Sequence, residues 1–218
     1  MKRITLALVM AASIAPTACL QKDTTSTIYL RQDGSLDWVV IEQNVRSDET
    51  DAAKRIAEET AYLDAVASGE QGVAETFLAL GADDVRIRWL RSERPYAVMV
   101  DARFDSLAGV FDRWLTRCRV PHETGMTQDG GVTTWRLWID VGPDGEGIEG
   151  DHGDGCDDGL DGLMDALDMR IMLESGTFTS ATGFKLEGTD TAVIDQEGVE
   201  HAYKTTGRIE LSLSWTAR

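Results

Sequence analysis

The chain has 218 residues, enough for one domain or two small ones. Its 42% hydrophobic and 27% charged residues sit near the globular norm, which excludes a disordered, collagen-like or multi-span membrane chain. With 21 Lys plus Arg against 38 Asp plus Glu, the net charge is −17, the wrong sign for gripping a nucleic-acid phosphate backbone.

The first element in chain order is an export signal. Lys2 and Arg3 form a positive start, and Ile4 to Ala15 is an apolar run interrupted only by Thr5 and Ser13. That run falls short of the roughly 20 apolar residues a membrane span needs and suits a signal-peptide core. Pro16-Thr17-Ala18-Cys19 follows. Here the sequence resembles a bacterial lipoprotein precursor, in which a small residue precedes a Cys that is lipidated and becomes the mature N-terminus. Ala18 and Cys19 match; Pro16 stands where the family usually has an aliphatic residue. The resemblance covers residues 1–20 and implies a signal peptide over 1–18, lipidation of Cys19, and a protein held in the cell envelope by more than one acyl chain. In the enterobacterial sorting pattern Leu20, being other than Asp, implies the outer membrane; other bacteria follow other rules. Ordinary secretion with cleavage after Ala18 is the alternative.

Residues 19–26 are polar and Thr-rich and read as a tether, which places a single domain at 27–218. Thr27–Arg31 alternates as a strand, and Asp33-Gly34 signals a two-residue hairpin into a partner strand from Leu36 to Val45. Ser47 is a candidate N-cap, with Asp48 and Glu49 in the first turn. Ala53, Ile56, Ala57, Thr60, Leu63 and Ala67 keep a 3–4 spacing, so 48–67 reads as an amphipathic helix stopped at Gly69. A second helix runs from Val73 to Leu80.

Val85 to Trp89 has strand periodicity, Arg94-Pro95 breaks it, and Tyr96 to Phe104 returns. Leu107, Val110, Phe111, Trp114 and Leu115 form a helical apolar stripe. Val120 to Thr127 reads as a weak strand, and after Asp129-Gly130-Gly131 the residues Trp135, Leu137, Ile139 and Val141 share one face, with Trp138 on the other. Leu160 to Leu167 can form a short helix; Met169, Ile171 and Leu173 resume strand periodicity. Strands follow near Phe178 to Leu186, at Ala192 to Ile194 and from Arg208 to Thr216. Tight turns favour antiparallel pairing, and the alternation leaves most strands one polar face. The expected fold is α+β, with three or four helices packed on one face of a mainly antiparallel sheet.

Asp140 to Asp168 holds eleven acids and no Lys or Arg, so it carries −11 of the net charge. Its core, the Gly/Asp-rich loop 140–162, contains two partial matches to the twelve-residue calcium loop. Asp140, Asp144 and Asp151 occupy positions 1, 5 and 12 of the first, and Asp154, Asp158 and Asp165 those of the second. Both lack the acid at position 3. Calcium is therefore the candidate cofactor, against the plainer reading of a solvated loop held open by like charges. A site of His152, Asp154 and Cys156 has no supporting zinc spacing.

Three cysteines are present. If Cys19 carries lipid, Cys118 and Cys156 remain for a disulfide in an oxidising compartment. It would close a loop of about 38 residues and contribute about 3–4 kcal/mol in the chain-entropy picture. Gly145 to Gly150 spells a dinucleotide fingerprint, but two Glu in it would repel a pyrophosphate. No phosphate loop, zinc-protease or serine-hydrolase motif occurs, and His122, His152 and His201 are scattered. Arg86 and Arg88 make a basic stripe that reads as a solvated sheet face. The first reading is a non-enzymatic, lipid-anchored envelope protein with a binding or structural role. Its expected partners are the membrane and an envelope protein, with no nucleic acid. The alternatives are a calcium-dependent extracytoplasmic binding module using 140–168 and a hydrolase with an unrecognised site.

Overall fold

The computed structural model describes residues 20–142 and 169–217. Within them the chain runs β1 (Leu20–Leu30), β2 (Leu36–Ser47), α1 (Ala52–Ser68), α2 (Gly72–Ala79), β3 (Asp84–Arg91), β4 (Tyr96–Phe104), α3 (Leu107–Arg117), β5 (His122–Asp129) and β6 (Val132–Asp140). It continues with β7 (Arg170–Leu173), β8 (Thr177–Thr182), β9 (Phe184–Glu187), β10 (Thr191–Ile194), α4 (Gln196–Thr206) and β11 (Arg208–Thr216). The class is α+β. The strands form two sheets rather than the one expected: seven strands in the order β3-β4-β2-β1-β7-β10-β9, and four in the order β5-β6-β11-β8. Every described pairing is antiparallel except β1 with β7, which joins Ile28 to Ile171.

The sheets meet at Gly183, between β8 in one and β9 in the other. Its backbone is left-handed, at φ +72°, and an added Cβ would lie 2.8 Å from the Glu210 carbonyl oxygen. Only glycine lets the strand turn this corner. The inner faces then share one core with α3. Trp135, Leu137 and Ile139 of β6 and Ile209, Leu211 and Leu213 of β11 are wholly buried beside Ile28, Leu30, Val98 and Val100 of the larger sheet. Leu107, Val110, Phe111 and Leu115 bury the expected stripe of α3. Phe111 packs at a tilt against Trp135 with ring centroids 5.1 Å apart, and Trp135 reaches Phe184 of the larger sheet at 6.3 Å.

Four local expectations change. Residues 20–26, read as a tether, are already strand: Leu20 faces Ser47 and Ser26 faces Val40. Threonines in that stretch suit an extended edge as well as a linker. The β1–β2 turn occupies residues 31–35 rather than two, closed by the Arg31 amide donating to the Ser35 carbonyl and the Gly34 amide donating to the Arg31 carbonyl. Ser47 ends β2 instead of capping α1, and Asp51 is the cap, accepting from the Ala53 and Lys54 amides at 2.9 and 3.0 Å. Finally, the sequence pattern of 196–206 gives no amphipathic signal for α4, because the helix buries only Val199; Asp195 caps its start and left-handed Gly207 its end.

The face of α1 is also reversed. Ala53, Ile56, Ala57, Thr60 and Ala67 of the expected apolar stripe are exposed, while Glu58, Glu59 and Val66 are buried. The residues are held by polar contacts. Ser47 Oγ donates to Glu58, the Ser47 amide donates to Glu59 Oε1 at 3.2 Å, and Arg94 pairs with the same oxygen at 3.1 Å. Hydrogen-bonded carboxylates dock the first half of this helix, and Val66 and Tyr62 pack its second half against the core.

Candidate functional site

A groove of about 500 Å³ lies between the first half of β1 and β2 on one side and α1 and α2 on the other, with Trp114 of α3 at one end. Its wall is apolar: Trp38, Val40, Phe77, Leu80 and Trp114. Trp38 and Phe77 meet at a tilt with ring centroids 5.3 Å apart, and Phe77 meets Phe104 edge-on at 5.7 Å. Trp38 is fixed further by its indole N–H, which donates to Ser26 Oγ at 2.7 Å. These contacts build the wall before any ligand arrives.

The opposite end is polar and is organised by Glu42. Along β2 the inward positions run Leu36, Trp38, Val40, Glu42, so the carboxylate occupies a place in the core-facing phase and is 0% exposed. Three donors satisfy it. Lys22 Nζ lies 2.6 Å from Oε1; Tyr62 Oη and Gln71 Nε2 donate to Oε2 at 2.8 and 2.9 Å. Gln71 also caps α2, its Oε1 accepting from the Val73 and Ala74 amides. A bulge follows Glu42 at Gln43 and Asn44, where Asn44 takes φ 55°, and it turns Val45 and Ser47 inward to meet α1. One buried acid therefore joins β1, β2, α1 and α2, the four elements that form the groove.

Lys22, Tyr62 and Gln71 line the groove; Glu42 sits beneath them. The Lys22 ammonium has three N–H donors and one is engaged here, while the Tyr62 oxygen, having donated its proton, keeps lone pairs. The polar end can thus donate to an oxyanion or hydroxyl and accept from a hydroxyl. Burial, with the charge of Glu42 and the bond to it adding, pushes the Tyr62 hydroxyl far above its ordinary value of 10.0. Folded Tyr62 keeps its proton where the unfolded chain would lose it. Its contribution is complete below pH 10.0 and is lost as pH rises beyond it. The melting-temperature margin of the protein over Tyr62→Phe is expected to shrink as pH passes about 10. A margin constant across a pH series would refute this role.

The other sequence candidates fall elsewhere. Cys19, Asp144, Asp151, Asp154, Asp158, Asp165, His152 and Cys156 lie outside the described residues, as does the helix expected at 160–167. Asp140, at the end of β6, accepts from the Gly142 amide at 3.3 Å and faces Arg208 at 3.9 Å. Among the described residues no group of three or more His, Cys, Asp or Glu is placed to hold a metal. Cys118, the C-cap of α3, is buried. His122 hydrogen-bonds the Val120 carbonyl at 2.7 Å and faces Asp112. Arg86 pairs with Asp84, and Arg88 with Asp101 at 2.5 Å, so the basic stripe is an ion-paired outer face. Trp138 points out of the smaller sheet, under the Arg208 guanidinium at 4.5 Å. Sequence reasoning missed Glu42, Tyr62 and Gln71. The available signal was a Glu in phase with Leu36, Trp38 and Val40, a polar intrusion into an apolar period.

No family model matches the chain, and no curated protein matches it. Among solved structures it is similar to the folded domain of the LppM protein of Mycobacterium tuberculosis, determined by NMR, with 11% identity over 90% of each chain and a TM-score of 0.36.

Proposed function

We propose that the protein is a lipid-anchored binding protein of the bacterial cell envelope, attached through Cys19, whose ligand is a small amphiphile held in the groove beside Glu42. The observation that supports the binding role is a preformed aromatic wall facing an end where Lys22 and Tyr62 retain hydrogen-bonding capacity. Small-molecule sites combine mainly apolar linings with a few fixed polar groups. The wall suits an alkyl or ring body, and the polar end suits a carboxylate or hydroxyl. The envelope location rests on the leader and on Ala18-Cys19. The same location supports a Cys118–Cys156 bridge, since disulfides persist outside the cytosol.

The test uses the chain from Leu20 onward, which holds every described strand and helix. Anilinonaphthalene sulfonate, an aromatic dye with an oxyanion, is expected to bind saturably, and dodecanoate to displace it. Thr76 lines the groove and is exposed, so Thr76→Trp should block the space without disturbing the core. It is expected to abolish both effects. Equal dye binding by Thr76→Trp and the parent would show that the groove is not the site.

A further inference from the structure

The position of β1 bears on how the protein sits at a membrane. Leu20, the first residue of β1, follows Cys19 directly. One trans peptide step spans about 3.8 Å, so an acylated Cys19 leaves no spacer between bilayer and fold. Whatever surrounds Leu20 is then brought to the lipid surface.

Register identifies those surroundings. Leu20 pairs with Ser47 at the end of β2, and Val45, two residues earlier, pairs with Tyr96 at the start of β4. Arg91, at the end of β3, pairs with Ala97. Residues 92–95, which connect β3 to β4, therefore lie level with Leu20. Three inter-strand steps separate β3 from β1, a lateral distance of about 14 Å. Arg94 ties this tip to Glu59 of α1, and Ile56 stands one turn before Glu59.

This end carries apolar residues that the fold leaves uncovered. Leu90 is 51% exposed at a register shift in β3, Trp89 is 39% exposed and Ile56 is 63% exposed. Trp89 meets Tyr96 edge-on at 6.4 Å. Arg91 and Arg94 flank them, and long cationic side chains reach headgroups while their stems lie on apolar surface. Trp and Tyr favour the headgroup level of a bilayer. Asp48, Glu49, Asp51 and Glu93 lie at the same end, so its charge is mixed and attraction to anionic lipid is not the driving term.

Resting on the lipidation of Cys19 proposed above, we propose that this end is a membrane-seating surface, in which the β3–β4 tip places Trp89 and Leu90 in the headgroup region of the anchoring bilayer. The experiment takes the full chain from membranes and measures its intact mass. It is then reconstituted in phosphatidylcholine vesicles whose acyl chains carry bromine just below the headgroups. Bromine is expected to quench the tryptophan fluorescence. Trp89→Phe and Leu90→Asp are each expected to lower that quenching about twofold, because Trp89 is the residue held at lipid depth. Adding anionic lipid or salt should leave the quenching unchanged. A mass without acyl chains would remove the anchor and the seating with it. An acylated protein whose quenching neither variant alters would retain the anchor and overturn the seating alone.

Discussion

Glu42→Ala is expected to destabilise the protein by about 3 kcal/mol, because buried donors left without a partner cost about 1–3 kcal/mol each. Tyr62 and Gln71 both donate to Glu42 from positions where the side chain they address is fully buried, and alanine offers neither an oxygen nor the volume to replace it. Lys22, half-exposed, would turn to water and lose less. Glu42→Gln keeps one carbonyl oxygen toward the donors and is expected to cost about half as much, since hydrogen bonds to a neutral acceptor are weaker. Urea unfolding of the three proteins measures this. A loss below about 1 kcal/mol for the alanine variant, the worth of one ordinary hydrogen bond, would show that the cluster does not hold the groove together. Because Gln71 also caps α2, the alanine variant should weaken dye binding as well as stability.

Trp135→Ala is expected to be more damaging still, about 3–5 kcal/mol, as for other large aromatic truncations in a core. Trp135 is wholly buried where the two sheets and α3 converge. It touches Phe111 on the helix and Phe184 across the corner, and its indole N–H donates to Thr124 Oγ1 at 3.2 Å. Those neighbours belong to separate elements, so they cannot all move in to fill the space. Chemical denaturation of the variant is the measurement. A change under about 2 kcal/mol would mean that the sheets do not share one tightly packed interior, since cavities that fail to collapse cost more than that.

The two residues differ in how readily the sequence exposes them. Trp135 is in phase with Leu137, Ile139 and Val141, and all four are wholly buried, as the alternation requires. The α3 stripe behaves in the same way, since an 11-residue helix with five apolar residues at 3–4 spacing has only one face to bury. Glu42 follows the same strand logic but breaks the expected chemistry. A carboxylate in an apolar phase is stable there only because Lys22, Tyr62 and Gln71 converge on it, and Tyr62 and Gln71 are 20 and 29 residues away. The stripe on α1 misled for the related reason. Alanine and threonine bury little apolar area, so a helix so composed can be docked by its opposite face once Ser47 and Arg94 offer partners to Glu58 and Glu59.

Local periodicity alone determined the α+β class, the faces of β6, β11 and α3, and the places where glycine and proline interrupt the chain, because side-chain direction repeats every two residues in a strand and every 3.6 in a helix. The division into two sheets at Gly183, the parallel pairing of β1 with β7, the docking face of α1 and the groove over Glu42 were decided by tertiary structure. Each depends on groups far apart in the chain meeting in space. Such meetings are chosen by the combined packing and polar satisfaction of the whole domain, which no window of neighbouring residues contains.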